Sequence, residues 1–406
     1  MTSAGSASHP NEPPAPELDS LAPYDAVLLL SFGGPESPDE VMPFLENVTR
    51  GRGIPTERLA AVAEHYLHFG GRSPINDQNR ALLGQLRELL GDSSKVPVYW
   101  GNRNWSPFVV DALRQAHEDG ARRVLTVVTS AYPSYSGCRQ YREDLAAALI
   151  TLAAEGRTLD IDKIRHYANH LGFLGPVVDG VVDAVGRVPA GSKVAFVTHS
   201  IPTPMDDVSG PDGGAYRGSH LEACTSVVEL ARAALGRELD WDLVYCSRSG
   251  SPSQPWLEPD VNDHLEALAG AGVPGVVLVP IGFISDHMEV VFDLDTEAEE
   301  TAGKLGLPFV RVATSSTDRR FAAGLVDLLR ERAATERGEQ PDRPAVGPHG
   351  PWHDVCPVGC CRNLRVPDKP AACGVDWAGV AAASDPRRGD LPAGRSPAEQ
   401  YEENRR

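Results

Sequence analysis

Residues 193–202 read KVAFVTHSIP. After Lys193 comes an unbroken apolar run with no polar face, the pattern of a strand covered on both sides, as in a parallel sheet. The same pattern recurs at DAVLLLSFGGP (25–35), VPVYWGN (96–102), RVLTVVTSAYP (123–133), LDWDLVYCS (239–247), GVVLVPIGF (275–283) and FVRVATSS (309–316). Helix-patterned segments lie between these runs. SPFVVDALRQAHEDG (106–120) is predicted to start on Ser106 as N-cap with Pro107 in the first turn. LEACTSVVELARAALG (221–236) places apolar residues at helical spacing. Alternating strands and helices predict an α/β protein with mainly parallel sheets. The runs divide around residues 155–170, so two lobes are expected, at 23–160 and 161–333. Each is a sheet flanked by helices, with a cleft between them at the carboxyl ends of the strands.

The rest of the chain bounds the function. Its 406 residues carry 38 Lys+Arg against 56 Asp+Glu, a net charge of −18. That field repels phosphate backbones and anionic lipid, so a nucleic-acid partner is not expected. The most apolar stretch, Gly275–Ile284, has about half of the ~20 residues a membrane-spanning helix needs. The first 20 residues, MTSAGSASHPNEPPAPELDS, have neither a basic start nor an apolar middle. No secretory leader is read there, and a cytoplasmic protein is expected. Residues 1–22 and 381–406 have the composition of disordered tails, and 334–380 form a Cys-rich extension. No apolar stripe calls for a partner subunit, so a monomer is expected.

Three constellations carry chemistry. His199 and Ser200 end a buried strand, where an imidazole is either held by its neighbours or titrates into a site. The flanking sequence lacks the G-x-S-x-G elbow of a serine nucleophile. Residues 280–300, PIGFISDHMEVVFDLDTEAEE, run from a strand into a segment where Glu289, Asp293 and Glu297 recur every four residues. A helix starting near Asp286 puts them on one face, where they repel and raise each other's pKa. Such a row is either a solvated surface or a conduit for protons or divalent cations. Finally, WHDVCPVGCCR (352–362) is followed by Cys373. Thiols this close in a reducing compartment point to metal. Their spacing is not the paired Cys-x2-Cys of zinc ribbons, and suits an iron–sulfur cluster with one remote thiolate; zinc and an unliganded tail stay open. The Gly- and Arg-containing loops TRGRGIP (49–55) and GGRSPIN (70–76) can clamp carboxylates but match neither a P-loop nor a dinucleotide fingerprint.

Taken together, LLLSFGGPESPDEV, ENVTRGRGIP, HYLHFGGRSPIN, YWGNRNWSPFV, SAYPSYSGCRQYRED, FVTHSIPTP, YCSRSGSPSQPWLEPDV and PIGFISDHMEVVFDLD resemble the ferrochelatases, in order, from Ala26 to Arg330. The resemblance implies two Rossmann-like lobes and insertion of Fe²⁺ into a porphyrin with loss of two pyrrole protons. The actinobacterial branch is the most similar, which implies coproporphyrin III as substrate and coprohaem as product. It implies that His199 and Glu289 are catalytic and meet the incoming iron, with Asp293 and Glu297 on an acidic path behind. It further implies that Phe32, Arg50, Ser73 and Tyr141 contact porphyrin. Phe32 stands where firmicute members have an iron-ligating tyrosine, and a phenyl ring supplies no ligand. Some members hold a [2Fe–2S] cluster, which implies Cys138, Cys356, Cys360 and Cys361 as ligands here, with Cys373 an alternative. Protoporphyrin IX as substrate, a cobalt- or nickel-inserting chelatase, and a non-catalytic tetrapyrrole or metal carrier are the competing readings.

Overall fold

The computed structural model describes residues 20–377 apart from Lys95 and Gly250–Pro252. The expected tails at 1–19 and 381–406 lie outside the described residues. Ser20–Ala22 is described, and Leu21 packs into the core beside Tyr24.

Eight strands form two four-stranded sheets, and every pairing is parallel. In the first, β1 (Ala26–Ser31), β2 (Val98–Asn102), β3 (Arg123–Val128) and β4 (Asp160–Lys163) lie in the order β2-β1-β3-β4. In the second, β5 (Lys193–His199), β6 (Trp241–Cys246), β7 (Val276–Val279) and β8 (Phe309–Arg311) lie in the order β6-β5-β7-β8. The two-lobed α/β architecture follows. The inner strands are the apolar ones: β1 is buried throughout and β5 from Val194 to Thr198. The seven apolar runs supply seven strands. The eighth, β4, was invisible because it reads DIDK: it is an edge strand in which only Ile161 and Lys163 are buried. One helix start also differs. The segment after β2 becomes helical only at Val109, behind an extended Phe108, while the Ser106 carbonyl accepts from Asn102 Nδ2 (3.3 Å).

The same order in each sheet has the same consequence. The chain leaves the first strand to one side and returns on the other, which opens a crevice at the carboxyl ends of β1/β3 and of β5/β7. The lobes are joined by a continuous core. The helix Arg319–Glu336 packs on Leu171–Ala184 of its own lobe and on Ile75–Ser94 of the other. It is anchored by a buried bidentate pair from Arg165 to Glu331 (2.6 and 3.0 Å). At the crevice, Tyr132 Oη donates to the Ile281 carbonyl (3.0 Å), and the Gln78 amide both donates to and accepts from the backbone of Asp286 (3.1 and 3.0 Å). Each lobe therefore fixes the chain of the other where the candidate site lies. Among the described residues no helix is long and apolar enough to cross a membrane.

Candidate active site

His199 closes β5, and Glu289 sits in the first turn of Met288–Phe292, which follows β7. The two strands flank the switch point of the second sheet, and the side chains meet there: His199 Nε2 is 3.8 Å from Glu289 Oε1. Both stay accessible, at 32% and 50%. His199 Nδ1 lies 2.5 Å from the Ser200 carbonyl oxygen, which can only accept. Nδ1 is therefore the donor in this contact, and Nε2 faces the carboxylate and the crevice.

Buried groups fix this imidazole. Tyr216 Oη donates to the His199 carbonyl (2.8 Å) and lies 2.8 Å from Thr198 Oγ1, which in turn lies 2.9 Å from His220 Nε2. His220 Nδ1 faces the Tyr216 carbonyl (2.7 Å), so its Nε2 must accept from Thr198. Burial pushes His220 down to about 3, keeping it neutral, and its ring stacks on Tyr132 at 3.6 Å. Tyr216 and His220 were missed in the sequence, although their four-residue spacing ahead of an apolar helix was a usable signal. The chain leaving β7 must also cross β5 closely. A Cβ at Gly282 would lie 2.0 Å from Thr198 Oγ1, so only glycine lets this segment pass.

The acidic row is bent. Met288–Phe292 is α-helical, but Asp293–Ala298 is a π-turn, which inserts extra backbone into the four-residue repeat. Asp293 is the enclosed member. Burial raises its pKa to about 7, Glu289 and Glu297 add to the rise, and a hydrogen bond from Ser247 Oγ opposes it. Glu297 is exposed, and its pKa is raised by partial desolvation and then by Asp260 and Glu300. Asp286 and Asp295 are occupied by Arg311 (2.7 and 2.6 Å) and stand apart from the row. His287, kept neutral by burial, approaches Glu289 at 3.9 Å.

The first lobe supplies the opposite wall. Phe32, just past β1, packs edge-on against Phe44 (6.3 Å), and Phe44 against Tyr66 (6.0 Å). Burial and then Glu289 raise the Tyr66 phenol. His65 stacks on Phe292 at 3.7 Å, so the helix Thr56–His68 lies against the element carrying Glu289. Arg103 holds Asp144 and lies over the rings of Phe32 (5.8 Å) and Tyr141 (4.4 Å). Tyr141 and Ser73 are themselves covered, Phe32 is partly buried, and Arg50 is exposed.

The cysteines are partitioned. Cys138, Cys356, Cys360 and Cys361 form one buried cluster, and all are free thiols. Cys360 Sγ donates to Cys361 Sγ (3.9 Å), and Cys138 and Cys356 pack against them, so the four sulfurs gather in one ring. Cys361 Sγ also accepts from Gly210 N of the second lobe (3.2 Å), whereas Cys138 belongs to the π-turn Tyr135–Arg139 after β3. Cys373 is outside the ring: its thiol donates to the Ile161 carbonyl (3.5 Å) and burial pushes it up to about 12. Two buried cations border the ring. Lys163 donates to the Ile164 carbonyl, and Arg142 to the Ala372 carbonyl and Asp376; both are stabilised as cations by the Cys356 and Cys138 sulfurs. His353, Cys356 and Cys360 bring one donor atom each to within 4.8 Å of one another, a group able to hold a metal ion.

Residues 24–333 match the family model described as ferrochelatase. A coproporphyrin III ferrochelatase of Streptomyces griseus subsp. griseus is 58% identical over 371 residues, covering 89% of this chain and 98% of the relative. One of Streptomyces coelicolor is 57% identical over 372 residues, covering 89% and 99%. Among solved structures, SirB from Bacillus subtilis with Fe³⁺ aligns over 77% of this chain and 97% of its own at 12% identity, with a TM-score of 0.45.

Proposed function

The chain belongs to the ferrochelatase family, and from that premise we propose that it inserts Fe²⁺ into coproporphyrin III, giving Fe-coproporphyrin III and two protons in haem biosynthesis. The observation that carries the reading is the His199–Glu289 pair, accessible at the switch point with Nε2 turned toward the carboxylate.

A free-base macrocycle holds two N–H protons in the plane the metal must enter, so a base on one face is required. His199 Nε2 receives one proton. Glu289, 3.8 Å away, stabilises the imidazolium and accepts the second. Asp293 takes protons onward: with a pKa near 7 it can gain and lose one at working pH, and a charged His199 favours its ionised form, so arrival of one proton promotes departure of the next. Iron sheds its waters stepwise, and imidazole with carboxylate replaces them without trapping the ion. Phe32 offers no donor, so this position supplies no iron ligand from the opposite face. Phe32, Ser73 and Tyr141 frame the ring, and Arg50 meets a propionate.

Cys138, Cys356, Cys360 and Cys361 would hold a [2Fe–2S] cluster. Four buried, mutually adjacent thiols with two buried cations beside them suit that anionic group. Such a cluster supplies one-electron chemistry. A mononuclear zinc bound by His353, Cys356 and Cys360 is the alternative that the donor distances allow. Iron and sulfide in the purified protein with visible absorption favour the first; one zinc per chain in a colourless protein favours the second. The reaction is tested by mixing protein, Fe²⁺ and coproporphyrin III without oxygen. Formation of the iron porphyrin, faster than with protoporphyrin IX, is expected; binding without metallation would identify a carrier instead.

A further inference from the structure

Arginine in this acidic chain is nearly always engaged, so the exceptions are informative. Among the described residues, only Arg50, Arg52, Arg58, Arg217, Arg362 and Arg365 have no side-chain hydrogen bond or ion pair. Five of the six come from two short segments, 50–58 in the first lobe and 362–365 in the C-terminal extension. The fold brings these segments together. Arg365 N donates to Asn363 Oδ1 (3.0 Å), and Asn363 Nδ2 donates to Tyr135 Oη (3.3 Å) and to Glu143 (3.0 Å). Tyr135 lies within the fields of Arg52 and Arg103, and Arg103 lies over the rings of Phe32 and Tyr141. Arg52 is destabilised as a cation by partial burial and by repulsion from Arg365 and Arg103. Asp144 holds Arg103 and Glu143 bonds Asn363, but neither Arg52 nor Arg365 has a carboxylate partner, and in a chain of net charge −18 two such side chains are a site for an anion brought from outside.

We propose that Arg365 of the C-terminal extension joins Arg52 at the rim of the crevice to bind carboxylates of the porphyrin, so that the extension completes the substrate site and favours a tetracarboxylate over a dicarboxylate ring. This rests on the porphyrin reading above. The thiol ring then has a structural consequence for substrate binding. Cys361 and Asn363 are two residues apart, and Asn363 sets Arg365 against Tyr135, three residues before Cys138.

The test measures porphyrin affinity by fluorescence quenching, and kcat and KM, for Arg365→Glu, Arg365→Lys and the remote exposed control Arg232→Ala, each against coproporphyrin III and protoporphyrin IX. Cluster absorbance in each variant shows whether the extension stays seated. Arg365→Glu is expected to weaken coproporphyrin III by about three- to tenfold, with kcat retained, protoporphyrin IX little changed and a shallower salt dependence. Arg365→Lys should recover most of the loss. Equal affinities of wild type and Arg365→Glu for coproporphyrin III, or equal losses for both porphyrins, would overturn the assignment of Arg365. If wild type neither binds nor metallates coproporphyrin III, it is the porphyrin reading itself that fails.

Discussion

Replacing Asp293 with Asn removes a charge that the fold holds at a cost. The carboxyl pKa rises from 3.8 to about 7, chiefly through burial and then through Glu289 and Glu297. The sign follows from proton counting: between those two values the folded state binds more protons than the unfolded one. The penalty is therefore absent below about 3.8, grows across that window and is complete once pH passes about 7. About three units at ~1.36 kcal/mol each sets an upper value of about 4 kcal/mol, and water reaching a partly accessible group reduces this to about 2–4 kcal/mol. Asn keeps an oxygen for the Ser247 hydroxyl, so the contact survives. Denaturant unfolding of both proteins at about pH 4 and about pH 8 should show equal stability at the lower pH and a more stable Asp293→Asn at the higher. The same variant should metallate more slowly and lose the inflection near neutrality in its pH–rate profile. Parallel stability curves across this range would mean that Asp293 is not a buried carboxyl poised near 7, and the relay would go with it.

Three further perturbations probe the supports. His220→Phe keeps the stack on Tyr132 but removes the imidazole bonds to Thr198 Oγ1 and to the Tyr216 carbonyl, so unfolding should cost about 1–3 kcal/mol less, with kcat falling more than KM changes. Unchanged kcat would show that the network does not position His199. Gly282→Ala forces a Cβ against Thr198 and should lower stability by about 1–3 kcal/mol along with activity, read by thermal melts and turnover; a silent substitution would contradict the close crossing. Cys138→Ala should abolish cluster absorbance while Cys373→Ala leaves it, because Cys373 bonds to Ile161 outside the ring. The reverse result would reassign the fourth thiolate.

The sheets were legible because inner parallel strands are buried on both faces, as in AVLLLS and VAFVT, whose apolar runs need no alternation to be recognised. Edge strand β4 was not, since Asp160 is exposed, Asp162 is held by Tyr24 and Arg332, and Lys163 is buried by its neighbours in the fold. The pairing of His199 with Glu289 was suggested by motif resemblance, but its cause is topological. The order β6-β5-β7-β8 sets the two strand ends side by side, and no local pattern encodes that order. The carboxylate row was read on a straight helix; the π-turn at Asp293–Ala298 changes its phase, so Asp293 is enclosed while Glu297 faces solvent. The role of His220 depends on Thr198 and Tyr132, distant in sequence, and the gathering of Arg52 with Arg365 spans nearly the whole described chain.

The proposed catalytic pair is tested most directly by His199→Ala, assayed without oxygen for both porphyrin binding and iron insertion. Porphyrin fluorescence should still be quenched, because the framing side chains remain, while formation of the iron porphyrin falls to near background. Wild-type turnover in that variant would contradict a base at His199, however closely its ring approaches Glu289.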